Sequence, residues 1–266
     1  MSETTGHGTA ASPSSVLLEG IDLKKSFGRG RARTEVLHGV SVRLRAGECL
    51  AVIGGSGSGK STLTRILLSL ETPDSGDVRY RGASIEGRAG RDALTLLRRE
   101  SGVVYQDPYA SLDPRWTVRR SVGEPLALRG VAPDERDARV REALESVSLE
   151  PALFLDRYPM DLSGGQAQRV AIARAIITDP AVLLADEAMS AIDVAARLQI
   201  LDALKAIRAR GVAMLMVSHD LGVVQHLADR ILVIHDGHVV EEGSTAAILE
   251  APQAEYTREL VAAATL

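Results

Sequence analysis

An unbroken apolar segment, Cys49–Ile53, runs directly into Gly54-Gly55-Ser56-Gly57-Ser58-Gly59-Lys60-Ser61-Thr62, and residues with helical spacing follow from Lys60 to Leu70. Buried strand, glycine-rich turn and helix start in that order commit the chain to at least one strand–loop–helix unit. Gly54 to Ser61 fits G-x-x-x-x-G-K-[S/T]. Glycines let backbone N–H groups turn toward a phosphate with no Cβ in the way, and the helix N-terminus adds a favourable dipole. In that setting Lys60 neutralises β- and γ-phosphate charge and the Ser61 hydroxyl coordinates Mg2+. A merely flexible glycine turn leaves the flanking strand and helix unexplained.

The remaining pattern surrounds this unit. Residues 16–80 read as short strands, with Val40, Val42 and Leu44 alternating against Ser41, Arg43 and Arg45, and with turns at Ala46-Gly47 and Ser75-Gly76. That alternation predicts a half-buried antiparallel sheet. Residues 117–155 are helical and charged, the strongest helix spanning 133–147 with Asp134, Glu135 and Asp137 in its first turn. After Asp161, helices at 164–178 and 194–209 alternate with apolar strands at 182–185 and 214–218. Such strands imply a parallel sheet covered on both faces. A hairpin closes the order, 231–235 and 238–242, with Asp236-Gly237 suited to a type I′ turn. No internal repeat is present. The pattern amounts to one nucleotide-binding unit with a helical insertion between two halves of an α/β core, preceded by a flexible tail at residues 1–15.

Composition narrows the classes. Among 266 residues, 45% are hydrophobic and 25% charged, which suits a globular chain with a full core. No stretch approaches the roughly 18 consecutive apolar residues of a membrane helix. A net charge of −4 argues against a nucleic-acid binder driven by bulk electrostatics. The lone Cys49 excludes an internal disulfide and a cysteine-rich metal site, and points to a reducing compartment. Basic charge is nearly all arginine, the lysines being Lys24, Lys25, Lys60 and Lys205.

Two further segments carry chemistry. Val182-Leu183-Leu184-Ala185 ends in Asp186-Glu187. Asp186 at the strand end can reach a Mg2+ shell, and Glu187 can polarise a water for in-line attack on the γ-phosphorus. Acidic residues also cap strands or begin helices, but open α/β sheets bind ligands at the carboxyl ends of their strands, where the loop after Ile53 also lies. The second segment is Leu162-Ser163-Gly164-Gly165-Gln166. Ser163 with Gln166 three residues on is a capping-box pattern useful to any helix. A helix start with two glycines is also a phosphate cradle, and a second cradle in one chain suggests a γ-phosphate gripped from two sides.

With these motifs in order from about Val16 to Arg258, the sequence resembles the ATP-binding subunits of ABC transporters. The short interval from Lys60 to Ser163 suits a transporter subunit, whereas chromosome-organising relatives separate the two motifs by a long coiled coil. The resemblance implies an α/β fold: a RecA-like P-loop NTPase core, mainly parallel sheet with flanking helices, an N-terminal antiparallel β subdomain and an inserted helical subdomain at about 107–162. The cassette would span 16–250, followed by a short C-terminal extension at 251–266. It implies ATP and Mg2+ as ligands, with Gly54 through Thr62 on the phosphates and Ser61, Gln106 and Asp186 at the metal. Phe27 would stack on adenine, Gln106 would sense Mg2+ and water, and His219 in Ser218-His219-Asp220 would meet the γ-phosphate as a switch. Ser190-Ala191-Ile192-Asp193 looks like the loop that crosses to a partner subunit. Phe27 could equally be a strand aromatic, Gln106 a polar strand-end residue, and His219 a helix cap or surface histidine.

The resemblance also implies that Ser163, Gly164, Gly165 and Gln166 act on the ATP of a second subunit, in a homodimer or paralogous heterodimer, with Glu187 orienting water. Two membrane permeases would dock on the helical insertion at the cytoplasmic face of the membrane, fed by an extracytoplasmic substrate-binding protein, with no nucleic-acid partner. Residues 106–115 and 252–258 are similar to the oligopeptide, dipeptide and nickel importer branch. Departures are Asp113 for the usual Asn, Ala254-Glu255 for His-Pro, and Ala188-Met189 for the commoner Pro-Thr. Peptide is the leading substrate and nickel or a metal chelate the alternative. A soluble P-loop ATPase acting on nucleic acid or a protein complex is the alternative of different class.

Overall fold

The computed structural model describes residues 15–30, 33–189 and 192–264. Strands β1 (Val16–Phe27) and β2 (Thr34–Arg45) pair antiparallel, each 12 residues long rather than short. Leu37, Val40, Val42 and Leu44 of β2 turn inward and are buried, as alternation requires. The wholly buried β3 (Cys49–Ile53) leaves this sheet and enters a second one. It ends in the glycine loop and α1 (Lys60–Leu67), shorter at its C-terminal end than the helical spacing suggests. Then β4 (Ser75–Tyr80) and β5 (Ala83–Ser84) complete a first sheet of order β2-β1-β4-β5.

The turn expected at Ser75-Gly76 is therefore the start of β4. Gly76 has φ +105°, and a Cβ there would lie 2.6 Å from the carbonyl oxygens of both Ile21 and Asp22. Glycine is required by a close approach of β1 and β4, where their register shifts between Ile21 and Lys24.

Helix α2 (Arg91–Arg99) and strand β6 (Ser101–Val104) precede the helical insertion. The insertion contains α3 (Pro108–Ser111), α4 (Val118–Leu128), α5 (Pro133–Ser146) and α6 (Pro151–Phe154). Its starts follow local chemistry: Thr117 caps α4, and Pro133 with Asp134 and Glu135 opens α5. The core resumes with α7 (Gly164–Ile176), β7 (Val182–Asp186), α8 (Val194–Ala209), β8 (Ala213–Val217), α9 (Leu221–Leu227) and β9 (Arg230–His235). The chain continues through β10 (His238–Ser244), α10 (Thr245–Glu250) and α11 (Glu255–Ala264).

The second sheet has order β10-β9-β3-β8-β7-β6, parallel except for the antiparallel β9–β10 hairpin. Asp236 and Gly237, at φ +44° and +73°, form the hairpin turn with the positive angles that type I′ demands. Period-two alternation in β3 sorts the core. Cys49, Ala51 and Ile53 face the cluster that includes the helical insertion, and Leu50 and Val52 face the cluster shared with β1, β2 and α1. Each fully buried aliphatic side chain contributes about 1.5–3 kcal/mol. This two-sided burial fixes the register in which β3, β6, β7 and β8 all end at one edge of the sheet.

Candidate active site

At that edge the glycine loop is shaped by its neighbours. Gly54 has φ +152°, and a Cβ there would fall 2.1 Å from the Ile234 carbonyl oxygen. Gly59, at φ +103°, also lies close to β2, its Cβ position 2.9 Å from the Val36 oxygen. The hairpin turn supports the loop from below, since the Gly237 N–H donates to Ser58 O (3.1 Å) and the His38 N–H donates to Gly237 O (3.0 Å). The Lys60 ammonium donates to Gly54 O (3.0 Å) and Gly55 O (2.7 Å). Burial pulls its pKa down, while the charges of Glu187 and Asp186 pull it up. Ser58 Oγ is buried with no hydrogen-bond partner among the described residues.

Asp186 ends β7 and accepts a hydrogen bond from the Ser61 hydroxyl. Burial, and then the adjacent Glu187 charge, hold its carboxyl above the usual range, against Arg65, Lys60 and the Ser61 bond. Glu187 has φ +48°, and its N–H donates to Val217 O at 2.9 Å. The chain thus turns sharply at the one position where β7 meets the end of β8. His219 Nδ1 lies 3.7 Å from Glu187 Oε1. The turn carrying His219 is fixed on its far side: Asp220 caps α9 through the N–H groups of Gly222 and Val223 and receives Arg197 Nη1 at 2.8 Å from α8. A cavity of about 60 Å³ lies among Glu187, Ala188, Met189, Ser218 and His219, large enough for water. Ala188 and Met189, the unusual pair after the two acids, are both buried.

Gln106 stands two residues beyond β6, whose Val104 pairs with Ala185, so it leaves the sheet at the same end as Asp186 and Glu187. The preceding Tyr105 carbonyl accepts Gln168 Nε2 of α7 at 3.2 Å. Phe27 ends β1 with its ring 44% exposed, a face open to stacking, and Lys25 Nζ is 5.1 Å from its centroid. Lys25 itself is held by Glu71 and the Thr72 carbonyl. Ser163 and Gln166 do form a capping box, with bonds of 3.3 and 2.9 Å. No hydrogen bond among the described residues joins them to the glycine loop.

The two glycines that follow Ser163 differ. A Cβ on Gly164 meets nothing within 4 Å, whereas one on Gly165 would be 2.4 Å from Ala196 Cβ. Gly164 faces open space, and Gly165 is spent on the contact between α7 and α8, a role its expected place on a partner's nucleotide does not include. Asp193 caps α8 by accepting the Ala196 N–H at 2.9 Å. Ser190 and Ala191 of the expected crossing loop, and residues 1–14 of the expected tail, lie outside the described residues.

The structure therefore gathers Lys60, Ser61, Asp186, Glu187, His219 and Gln106 at one sheet edge and leaves Ser163–Gln166 as a separate helix start. Sequence reasoning missed three contributors: Tyr256, whose hydroxyl accepts the Gly55 N–H at 2.7 Å, Gln168, and Arg65 near Asp186. None of the three left a distinguishing signal in the sequence. The Asp113 departure has a local reason. Its carboxylate accepts the Arg115 N–H and guanidinium at 2.9, 3.0 and 2.7 Å, which holds its pKa down to about 2. Asparagine could take the N–H but not the ion pair.

A phosphate loop, a strand that runs into two carboxylates and a histidine just beyond the end of the next strand define a P-loop ATPase, and the separate glycine-rich helix start narrows it to the ATP-binding-cassette kind. Residues 37–190, more than half of the chain, match the ABC transporter family. The chain is 40% identical over 255 residues to the dipeptide transport ATP-binding protein DppF of Haemophilus influenzae, covering 93% of this chain and 77% of that one. It is 46% identical over 226 residues to the glutathione import ATP-binding protein GsiA of Shigella flexneri, covering 84% of this chain but only 36% of that longer protein. A dimeric ATP-binding cassette, MJ0796, in a post-hydrolysis state with ADP and Pi, superposes with TM-score 0.77 at 32% identity, covering 86% of this chain and 99% of that one. The chain belongs to the ABC transporter family and is an ATP-binding, ATP-hydrolysing member of it. No described helix is long and apolar enough to cross a membrane.

Proposed function

We propose that this chain powers an ABC importer of di- or oligopeptides, working as one of two cassettes beneath two membrane permeases at the cytoplasmic face, with an extracytoplasmic binding protein delivering substrate. The observation that carries the ATPase part is the single sheet edge on which Lys60, Ser61, Asp186, Glu187 and His219 converge. The peptide part rests on relatives named for transport of dipeptides and of glutathione, itself a tripeptide. The cassette is taken to span 16–250, with the helical insertion at about 107–162.

In this reading Lys60 leaves the Gly54 and Gly55 carbonyls to meet the β- and γ-phosphates, while the N–H groups of Gly57 to Thr62 close around them. The adenine stacks on Phe27. The residues at the loop fit Mg2+: Ser61, Gln106 and Asp186 are hard oxygen donors, and Asp186 is a carboxylate that burial and Glu187 leave in want of a cation. When bound, the ion neutralises developing phosphate charge. Glu187 orients water from the small cavity beside it, and His219 steadies that carboxylate and meets the γ-phosphate. Ser163, Gly164, Gly165 and Gln166 of one subunit cover the nucleotide of the other, which is consistent with the absence of a hydrogen bond from Ser163 and Gln166 to their own loop among the described residues, and Asp193 lies on the crossing loop. A groove of about 600 Å³ between α4 and α5, with Trp116, Leu128 and Val140 in its lining beside the charged Arg120, Glu124 and Arg136, supports docking of a short permease helix on the insertion.

Reconstitution with its permeases and binding protein in proteoliposomes should give ATP-dependent uptake of labelled dipeptide. If the chain isolates without permeases and its ATPase rises with DNA or RNA instead, the transport reading fails. Uptake of nickel and not peptide would move it to the metal branch.

A further inference from the structure

The segment 252–258, which plays no part in the chemistry above, lies against the phosphate loop. Its path is fixed by Glu241 of β10, whose two carboxylate oxygens accept the N–H groups of Gln253 (2.8 Å) and Ala254 (3.0 Å). Thr257, fully buried, seats the first turn of α11. Between these anchors the Tyr256 ring stacks on the His235 imidazole at the end of β9, with centroids 3.9 Å apart and planes at 27°. Its hydroxyl accepts the Gly55 N–H at 2.7 Å.

The carbonyl of the same glycine accepts Lys60 Nζ at 2.7 Å and the Ser58 N–H at 3.3 Å. Gly55 is thus held through both of its backbone groups, one by the lysine that must depart to bind phosphate and the other by Tyr256. The tyrosine bond can persist when the lysine bond breaks. Size matters at this point, because a Cβ on Gly55 would already lie 3.1 Å from the hydroxyl.

We propose that Tyr256 is a positioning residue for nucleotide binding: its hydroxyl keeps the Gly55 limb of the phosphate loop in its binding shape once Lys60 has let go of it. A glycine-rich loop loses more conformational freedom on ordering than any other kind of segment. A contact that orders it beforehand removes that cost from the binding step. Tyr256 touches no phosphate and acts only through Gly55, so this inference deepens the nucleotide-site reading and rests on it.

Tyr256→Phe keeps the ring on His235 and the seat of α11 and removes only the acceptor. In the full chain with Mg2+, titration with a fluorescent ATP analogue should show Kd rising about 3- to 10-fold, the worth of one net hydrogen bond. The KM for ATP should rise in parallel with kcat unchanged. A residue that merely anchors α11 would lower the melting temperature and leave Kd and KM where they were, and that result overturns the proposal. A second measurement does not depend on the variant: amide exchange of the nucleotide-free wild type should show Gly55 protected, and unprotected exchange there also overturns it. Wild-type chain that bound no MgATP would instead sink the nucleotide site as a whole.

Discussion

Replacing Gly165 by alanine sets the packing role of this residue against the nucleotide role its motif suggests. The new Cβ would stand 2.4 Å from Ala196 Cβ, whereas carbon atoms rest about 3.5–4.0 Å apart. Helices α7 and α8 must then separate by roughly 1 Å or more. Overpacking of this kind costs about 1–3 kcal/mol, offset by up to about 1 kcal/mol because alanine is the better helix former. A net loss of about 1–2 kcal/mol lowers Tm by roughly 2–8 °C in a chain of this size. Thermal and urea unfolding of the isolated chain, free of nucleotide, would measure it. Ala196→Gly removes the opposing methyl, so the double variant should be as stable as Ala196→Gly alone, an interaction energy equal in size and opposite in sign to the cost of the clash. Gly164→Ala, with nothing within 4 Å of its Cβ position, should leave folding intact while weakening ATP-driven pairing of two chains. Wild-type stability in Gly165→Ala, or no rescue by Ala196→Gly, refutes the argument.

Glu187→Gln should retain ATP affinity, lose about 10²–10⁴-fold in turnover and accumulate a nucleotide-bound dimer in size-exclusion chromatography; rapid hydrolysis by that variant removes Glu187 from its role. Lys60→Ala loses a charge-assisted contact to phosphate, so equilibrium titration should show ATP binding weakened about 10- to 100-fold. Asp186→Asn should raise the melting temperature of the nucleotide-free chain, because burial and the Glu187 charge both oppose its ionised form, yet abolish Mg2+-dependent turnover. The linkage runs in a definite direction. A carboxyl raised in the folded state contributes stability at low pH that is lost as pH climbs through the raised value. The wild type should show that fall as pH rises above the ordinary carboxylate range, and Asp186→Asn should not.

How much was legible beforehand depended on the range of the forces involved. The strand–loop–helix unit, the helix at 194–209, the alternation of apolar strands with helices after Asp161 and the hairpin turn follow from short-range pattern: apolar periodicity, glycine and the positive φ of Asp236-Gly237. Ser75-Gly76 misled because a glycine demanded by a neighbouring strand 50-odd residues back in sequence, at roughly the spacing of an ordinary cross-strand contact, has the same local signature as a turn. Gly165 is the same lesson inside a motif: two adjacent glycines look equivalent in sequence, and only the position of Ala196 tells them apart. Tyr256 could not be found at all, since its partner Gly55 lies at the other end of the chain and no periodicity links them.

The site also departs from what folding alone would favour. Lys60 is desolvated and turned onto carbonyls, Asp186 is pushed toward protonation by burial and by Glu187, and Glu187 itself sits at φ +48°, a conformation costly to a residue with a Cβ. In the proposed function, the desolvation of Lys60 and of Asp186 is relieved by one event, arrival of an anion with its divalent cation. The phosphates take Lys60 from the carbonyls, and the cation takes the charge that Asp186 carries reluctantly. Surrounding packing can hold such an arrangement because β3, β7 and β8 behind it are buried almost without exception. A site strained when empty and relaxed when filled binds its ligand partly through that relief, and release of product restores the strain that the next ATP removes.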